Sequence, residues 1–572
     1  MNYGTSAASH DLTLTITGDL IVNGGTSYLS RNSGTSVITI GGNISIASGI
    51  LAVKGSSGSC TFNLTGNFLQ NGGTFYLHSN GTTFTPNPIT LNISGTFAQS
   101  AGTFSFDDNT SNSSAVHILN ILGSQYSISG TGIITHAGSG SSTVFGLLRF
   151  SGSGTQVYSR TGNTHALTQV KIEIGSNVQI GTGNLLIASG NSAGTDYLKI
   201  VTGGKLDLGL NQIISEASFS NCGIQVDSGG TLSTESSYGL YDGTSSASLA
   251  STGNMDYFLH ASGVIEYTGN GNQILTGTGN GIATSINHQY GILKINKSNT
   301  AYAEPVLSNV IVRTQLQMES GELRLNGNTL TISNGNNSGI TRNNGYIFSE
   351  SDASSLVWKD MSGGMHVIPL GLNSTTYIPV SITPTSGFPS DVQISTRGTA
   401  ADNKPYPAVA AAATSINLLM NGRDGSTDAV IDRWWNFSAP GLTANVTLSY
   451  PGTENTLSPE LSAGMLSMMS WNGSSWSSPR GSGLGVNSGV GTLTINNATQ
   501  FSHWIIASNS AALPIELAYF TANVTGKEVL LSWATATETN NSFFNIERGT
   551  DGISYESIQQ INGAGNSTSF LT

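Results

Sequence analysis

The sequence predicts an all-β chain, a right-handed parallel β-helix followed by β-sandwich-like modules. Three observations carry this. A unit of about 24 residues recurs from the start of the chain. Within it apolar and polar residues alternate with period two, the mark of a half-buried strand, and no 3.6-residue period is sustained. Charged residues make up only 9% of the 572, while 72 are Gly; an ordinary globular domain carries about 25% charge and about 7% Gly.

Four segments define the repeat. They open at Gly18, Gly42, Gly66 and Gly95, spaced 24, 24 and 29 residues apart, and end at Leu29, Val53, Leu77 and Phe106. A strand-like run precedes each glycine: Leu12-Thr13-Leu14-Thr15-Ile16, Val37-Ile38-Thr39-Ile40, Thr61-Phe62-Asn63-Leu64 and Thr90-Leu91-Asn92-Ile93. Gly and Asn between the runs suit corners that need positive φ. So short a unit cannot bury its apolar face alone, but stacked on its like it can.

The pattern returns in degraded form at 223–232 and 316–332. A second element, Gly-x-Gln-apolar, occurs at Gly123-Ser124-Gln125-Tyr126, Gly154-Thr155-Gln156-Val157 and Gly271-Asn272-Gln273-Ile274. About fourteen coils at roughly 4.8 Å each give a rod about 65–70 Å long. Cys60, alternating with Phe62 and Leu64, reads as a small buried hydrophobe. Cys222 falls roughly seven coils, or about 30 Å, away on this spacing. That is beyond disulfide reach, so both thiols are expected free.

Stacking also explains the missing charge. Equivalent residues of successive coils lie about 4.8 Å apart, so a row of one charge would repel itself, whereas Thr and Asn rows can hydrogen-bond. Thr13, Thr15, Thr39, Thr61, Asn63, Thr90 and Asn92 are the outward candidates. Residues 1–180 hold five acids and five bases, so the net charge of −12 arises from the remaining 27 acids and 15 bases. A basic nucleic-acid footprint is excluded. No apolar stretch reaches the length of a bilayer-spanning helix. Met1-Asn2-Tyr3-Gly4 opens no signal peptide.

Composition changes near residue 340. All seven Trp and 11 of 14 Pro follow it. The domains are therefore read as a solenoid over 1–340, a β-sandwich-like domain over 341–510 and a third module over 511–572. Strand-like runs in the second include Tyr377-Ile378-Pro379-Val380, Val392-Gln393-Ile394, Val446–Tyr450, Thr492–Ile495 and His503–Ile506. Residues 404–422 are Ala-rich, suiting a short helix or a loop. In the third, Val529–Trp533 and Phe543–Arg548 read as strands, and Gly549-Thr550-Asp551-Gly552 as a hairpin turn. It holds four or five strands, fewer than a sandwich needs, and is expected to be truncated.

Leu513-Pro514-Ile515-Glu516-Leu517, Leu531-Ser532-Trp533-Ala534-Thr535-Ala536-Thr537-Glu538-Thr539-Asn540-Asn541 and Phe544-Asn545-Ile546-Glu547-Arg548 resemble the fibronectin type III-like module of large secreted proteins of Bacteroidota. Gly345–Glu350, Val367–Gly371, Tyr377–Val380, Asp432-Arg433-Trp434-Trp435 and Gly263–Tyr267 resemble other segments of that group. The resemblance implies export by the type IX secretion system, with a signal peptide and a C-terminal sorting domain, and an extracellular or outer-surface location. It implies no particular activity.

Catalytic constellations are not evident. A β-helix polysaccharide lyase or hydrolase needs clustered carboxylates. Asp107-Asp108 lies in a Ser/Asn stretch and reads as a solvated turn. Asp196, Asp207 and Asp227, 11 and 20 residues apart, do not fit one stacked column. The nine His are scattered without metal-ligand spacing. Residues 421–428 depart from a Ca²⁺ loop. Asp432-Arg433 reads as a buried ion pair beside core aromatics. Trp471 and Trp476, bracketing Asn472–Ser475, read as sandwich core or, more sharply, as exposed rings that stack on sugars.

The functional expectation is a non-catalytic, secreted or cell-surface adhesin or scaffold, possessing no cofactor or metal and contacting extracellular glycans or surface proteins. The alternative is a β-helix polysaccharide lyase or glycoside hydrolase. A Thr-ladder ice binder needs Thr-x-Thr in many coils, and among the first four strand runs only Thr13–Thr17 has it.

Overall fold

The structure is a computed structural model. It describes residues 10–79, 87–108, 115–136, 146–162, 167–168, 170–187, 194–215, 222–240, 246–250, 255–275, 289–298, 300–306, 308–401, 403, 430–455, 465–472, 476–508, 516–550, 555–567 and 570–572. Among them are strands and two short 3-10 turns, and no α-helix. Among the described residues no helix is long and apolar enough to cross a membrane. Contacts divide the chain into two units, Met1–Ser349 with Ala353–Tyr377, and Glu350–Asp352 with Ile378–Thr572.

The first unit is a parallel β-solenoid. One face is a ten-stranded parallel sheet, from Leu12–Ile16 to Met255–Leu259. This is fewer than the fourteen coils expected, because no later described strand joins this sheet. A second face starts at Leu20–Ser30, Ile44–Lys54, Phe68–His78 and Phe97–Asp107 and continues in parallel to Ile340–Arg342. The four strand runs read from the sequence pair residue for residue, as in Leu14↔Ile38↔Phe62↔Leu91.

Alternation puts one side of each strand inside. Ile38, Phe62, Leu91, Leu119 and Leu148 form one column and are fully buried. On the second face Phe68, Phe97, Tyr126 and Tyr158 stack with ring centroids 5.1, 4.9 and 5.3 Å apart. Outside, Asn120 donates to Asn92 and Asn92 to Asn63, each at 2.9 Å, giving the expected amide ladder. The 11-residue strands bend at stacked glycines: Gly25, Gly49, Gly73 and Gly102 have φ of +67°, +81°, +60° and +83°. A Cβ on Gly49 would lie 2.5 Å from the Gly24 carbonyl carbon of the preceding coil, so both conformation and space require glycine there.

The Gly-x-Gln element has a structural meaning at two of its three sites. Gln156 and Gln273 are buried and their amides donate to backbone carbonyls of the preceding coil, Ile121 and Gly123 in one case, Thr234 and Ser236 in the other. Gln125 is exposed. The expected boundary at 340 falls inside the first unit. Thr329–Ile332 still pairs in parallel with Ser355–Met361, and Glu322–Arg324 with Tyr346–Phe348. Cys60 is free, 3% exposed, and burial pushes its thiol up to about 12. The side chain of Cys222 lies outside the described residues, as do the Ala-rich segment at 404–422 and the tip of the expected hairpin at 551–554.

The second unit is antiparallel. Val380–Ser386 pairs with Thr443–Pro451, which pairs with Val490–Ala498. Ser390–Gly398 pairs with Arg433–Ser438, and His503–Ser508 pairs with both Arg433–Ser438 and Met465–Ser470. Farther along, Glu516–Thr525, Glu528–Arg548 and Glu556–Ser567 form a three-stranded antiparallel sheet. The two runs expected at 529–533 and 543–548 are parts of one 21-residue strand.

Candidate functional site

In the second unit Trp471 lies just past the strand Met465–Ser470, where its backbone N–H donates to the His503 carbonyl at 2.9 Å. The Ser502 hydroxyl donates to the Trp471 carbonyl at 2.5 Å. These bonds set the half-exposed indole on the wall of an open cleft of about 580 Å³. Phe501 adds a second aromatic surface, and Ser438, Asn472, Gln500 and Ser502 supply hydroxyl and amide groups. Phe501 is itself held against Trp504, centroids 5.5 Å apart. The Trp504 indole N–H donates to the Gln500 carbonyl at 3.0 Å, which fixes the 499–503 segment.

The two tryptophans singled out by sequence therefore part company. Trp471 faces the cleft. Trp476 is 9% exposed and wedged between Trp471 and Trp434, with centroid distances of 5.3 and 5.9 Å. It supports the wall and offers no stacking face. No Asp or Glu is among the described lining residues, and the titratable group there is His503. Burial outweighs nearby Asp352 and lowers the His503 pKa, so the imidazole is neutral at pH 7.

Other candidates resolve differently. Arg433 is buried as expected, but not against Asp432. Neighbouring residues of an extended chain point to opposite sides. Its guanidinium grips Glu454 with two bonds of 2.6 Å and reaches Glu350 at 2.7 Å. Burial alone would lower its pKa; the two carboxylates outweigh that and raise it. Asp432 instead accepts the Asn403 amide at 3.0 Å. Asp207 accepts the Ser233 hydroxyl at 3.1 Å, and Asp227 pairs with Lys199 at 3.2 Å. Asp207 ends a strand of the second face and Asp227 follows one of the ten-stranded sheet, so register does not pair them. The side chain of Asp196 and the segment 421–428 lie outside the described residues.

Asp107 lies elsewhere than its sequence surroundings suggest. It is no solvated turn residue but the last residue of Phe97–Asp107, with 0% exposure. The solenoid register places it directly over His78 of the preceding coil. His78 Nδ1 lies 3.2 Å from Asp107 Oδ1, and His117 Nε2 3.9 Å from Asp107 Oδ2. The two imidazoles stack with centroids 5.8 Å apart. His78 Nε2 faces the Ser56 carbonyl at 3.2 Å, and His117 Nδ1 accepts the Ile89 N–H at 3.2 Å. Burial, only partly offset by Asp107, lowers the His117 pKa to about 3. Asp108, half-buried, accepts the Ser79 hydroxyl at 2.6 Å.

Sequence spacing misses this cluster because its members are 29 and 10 residues apart. The signal was one residue away. Each aligned repeat ended at Leu29, Val53, Leu77 or Phe106, and the next position reads Ser30, Lys54, His78, Asp107. Comparisons with protein-family models, with curated proteins and with solved structures find no match.

Proposed function

We propose that this chain is a non-catalytic, secreted or cell-surface adhesin or scaffold that holds neutral glycan chains in the Trp471 cleft. The observation that carries the reading is the cleft's chemistry. A sugar presents an apolar C–H face to an aromatic ring and hydroxyls around its rim. Trp471 and Phe501 match the first, and Asn472, Gln500, Ser438 and Ser502 the second. Such sites are apolar surfaces with a few convergent polar groups. No described lining carboxylate is present to act as general acid. The net charge of −12 favours neutral over acidic polysaccharides.

The likeness to secreted Bacteroidota proteins with a fibronectin type III-like module supports an extracellular or outer-surface location, reached through type IX secretion. Right-handed winding of the rod, as for other parallel crossovers, and sandwich packing of the antiparallel strands belong to the same proposal. The test is binding of the full chain to a panel of neutral polysaccharides by affinity electrophoresis. The Trp471→Ala variant is expected to bind at least about tenfold more weakly, or about 1.4 kcal/mol. Equal binding by both proteins would remove the cleft from the reading. Release of sugar products would favour the lyase or hydrolase alternative.

A further inference from the structure

We propose that His78, Asp107 and His117 form a binding site for one Zn²⁺ ion inside the solenoid. The proposal is independent of the glycan reading, since it concerns the interior of the other unit.

Geometry comes first. One ligand atom from each of the three residues lies within 4.8 Å of the other two. The His78–Asp107 separation of 3.2 Å is already that of two ligands sharing one ion at about 2.0–2.2 Å. The His117–Asp107 separation of 3.9 Å must close by under about 1 Å for the same bond lengths. Two imidazoles and a carboxylate are a ligand set for Zn²⁺, rather than for the all-oxygen cations.

Local chemistry comes second. The Ser56 carbonyl can only accept, so His78 Nε2 carries a proton. In the neutral ring Nδ1 then presents a lone pair to Asp107. A ligating His normally donates its other N–H in this way. Where a lone pair meets a carboxylate oxygen at 3.2 Å, a proton or a metal ion must lie between them. His117 Nε2 is fully buried, has no hydrogen-bond partner among the described residues, and is aimed at the same carboxylate. An orphaned buried polar atom costs about 1–3 kcal/mol. A cation between the three groups removes that cost.

Charge balance comes third. His117 Nδ1 accepts the Ile89 N–H, so Nε2 holds the ring proton in the metal-free protein. On binding, that proton moves to Nδ1 in exchange for the Ile89 hydrogen bond, and Nε2 ligates as the neutral imidazole. The Asp107 carboxylate offsets one of the ion's two charges in the enclosed site. Because all three residues are enclosed, the ion enters while the coils form.

The experiment unfolds the full chain in guanidinium with EDTA, removes both, and refolds it with or without equimolar Zn²⁺. After gel filtration, elemental analysis is expected to find one Zn²⁺ per chain. X-ray absorption at the zinc edge is expected to show two imidazoles and oxygen at about 2.0–2.1 Å. Asp107→Asn and His117→Gln are each expected to weaken binding beyond the about 100-fold lost when only an outer-shell partner is removed. His260→Gln, at an exposed position of the same unit, is expected to retain the ion. Where a variant fails to fold, the wild-type absorption spectrum decides. No retained zinc in the refolded wild type, a spectrum without two imidazoles, or wild-type retention by folded Asp107→Asn would each overturn the proposal.

Discussion

Replacing Phe97 by Ala tests whether the rod is held by coil-to-coil contact. Phe97 is fully buried, and its ring lies 5.1 Å from Phe68 below and 4.9 Å from Tyr126 above, within 1° and 12° of parallel. A Phe→Ala change in a core costs about 3–5 kcal/mol, depending on how far the site collapses. Here collapse is blocked. The neighbouring rings hang from backbones paired in register at Phe68↔Phe97 and Tyr126↔Phe97, and the ladder spacing of about 4.8 Å cannot shrink. The expected loss is therefore near the top of that range, about 4–5 kcal/mol. In a solenoid it must be local, because each coil touches only its neighbours. Native-state hydrogen exchange reads this directly. Amides of Phe68–His78, Phe97–Asp107 and Gln125–Ile128 are expected to lose that opening free energy. Those of Glu322–Arg324 are expected to keep theirs. A local loss under about 2 kcal/mol, or an equal loss at the remote strand, would refute the nearest-neighbour argument.

Gly49→Ala, which combines φ of +81° with a Cβ clash on the preceding coil, is expected to cost at least about 2 kcal/mol in urea denaturation. Burial alone would raise Glu266, but hydrogen bonds from Lys205 and Asn296 and the charge of Lys294 hold it below its ordinary 4.5. Its contribution is thus full above pH 4.5 and is lost as pH falls through the lower folded value. Glu266→Gln should therefore destabilise by about 2 kcal/mol at pH 7, and the loss should shrink as pH falls below 4.5 through the lowered folded value. Lys297 behaves oppositely: burial, only partly offset by Glu235, lowers it from 10.5 to about 8. The unfolded chain then binds more protons between pH 8 and 10.5, so stability should rise across that window. The rise is about 3 kcal/mol at 1.36 kcal/mol per unit, and Lys297→Gln should abolish it. Glu173→Lys breaks a 2.7 Å pair with Arg149 and stacks three cations in one row. It is expected to cost about 1–2 kcal/mol, reduced by added salt.

The strands of the rod were legible because a half-buried strand must alternate, and Leu12–Ile16 or Cys60–Leu64 can hardly be read otherwise. The boundary was less so. Trp358 suggested a new domain by composition, yet it is a fully buried rod residue stacked in register on Ile332. A wide ring fills the same interior position as an aliphatic chain, so residue type alone could not place it. Trp471 and Trp476 looked equivalent in sequence because both flank one short segment. Which of them faces the cleft depends on the packing of Trp476 against Trp434, 42 residues away. Arg433 pairs with carboxylates 83 and 21 positions distant, and only folding brings these together.

Charge scarcity in the rod follows a sharper rule than avoidance. Where ions do occupy stacked positions, neighbours differ in sign or are separated by a neutral group. The outward row that begins with Thr15, Thr39 and Asn63 runs on through Asn120, Arg149, Glu173 and Lys199, so its charges alternate. The row Asp207, Ser233, Glu266, Lys294 places a hydroxyl between its two acids. The interior row Ser30, Lys54, His78, Asp107 obeys the same rule without water to screen it. Lys54, fully buried, is bonded to Ser36, Gly34 and Asn32 at 2.7, 2.8 and 3.0 Å, all neutral oxygens. Burial lowers its pKa. His78 separates that amine from Asp107, and the imidazoles take up the carboxylate from the other side. A coil stacked at about 4.8 Å reads each neighbour's charge at close range. A lone ion is therefore costly and an ordered sequence of unlike groups is tolerated. That is why the acidic residue enclosed in this interior row arrives with two histidines, and why the cluster, rather than any single residue, is the feature that calls for a ligand.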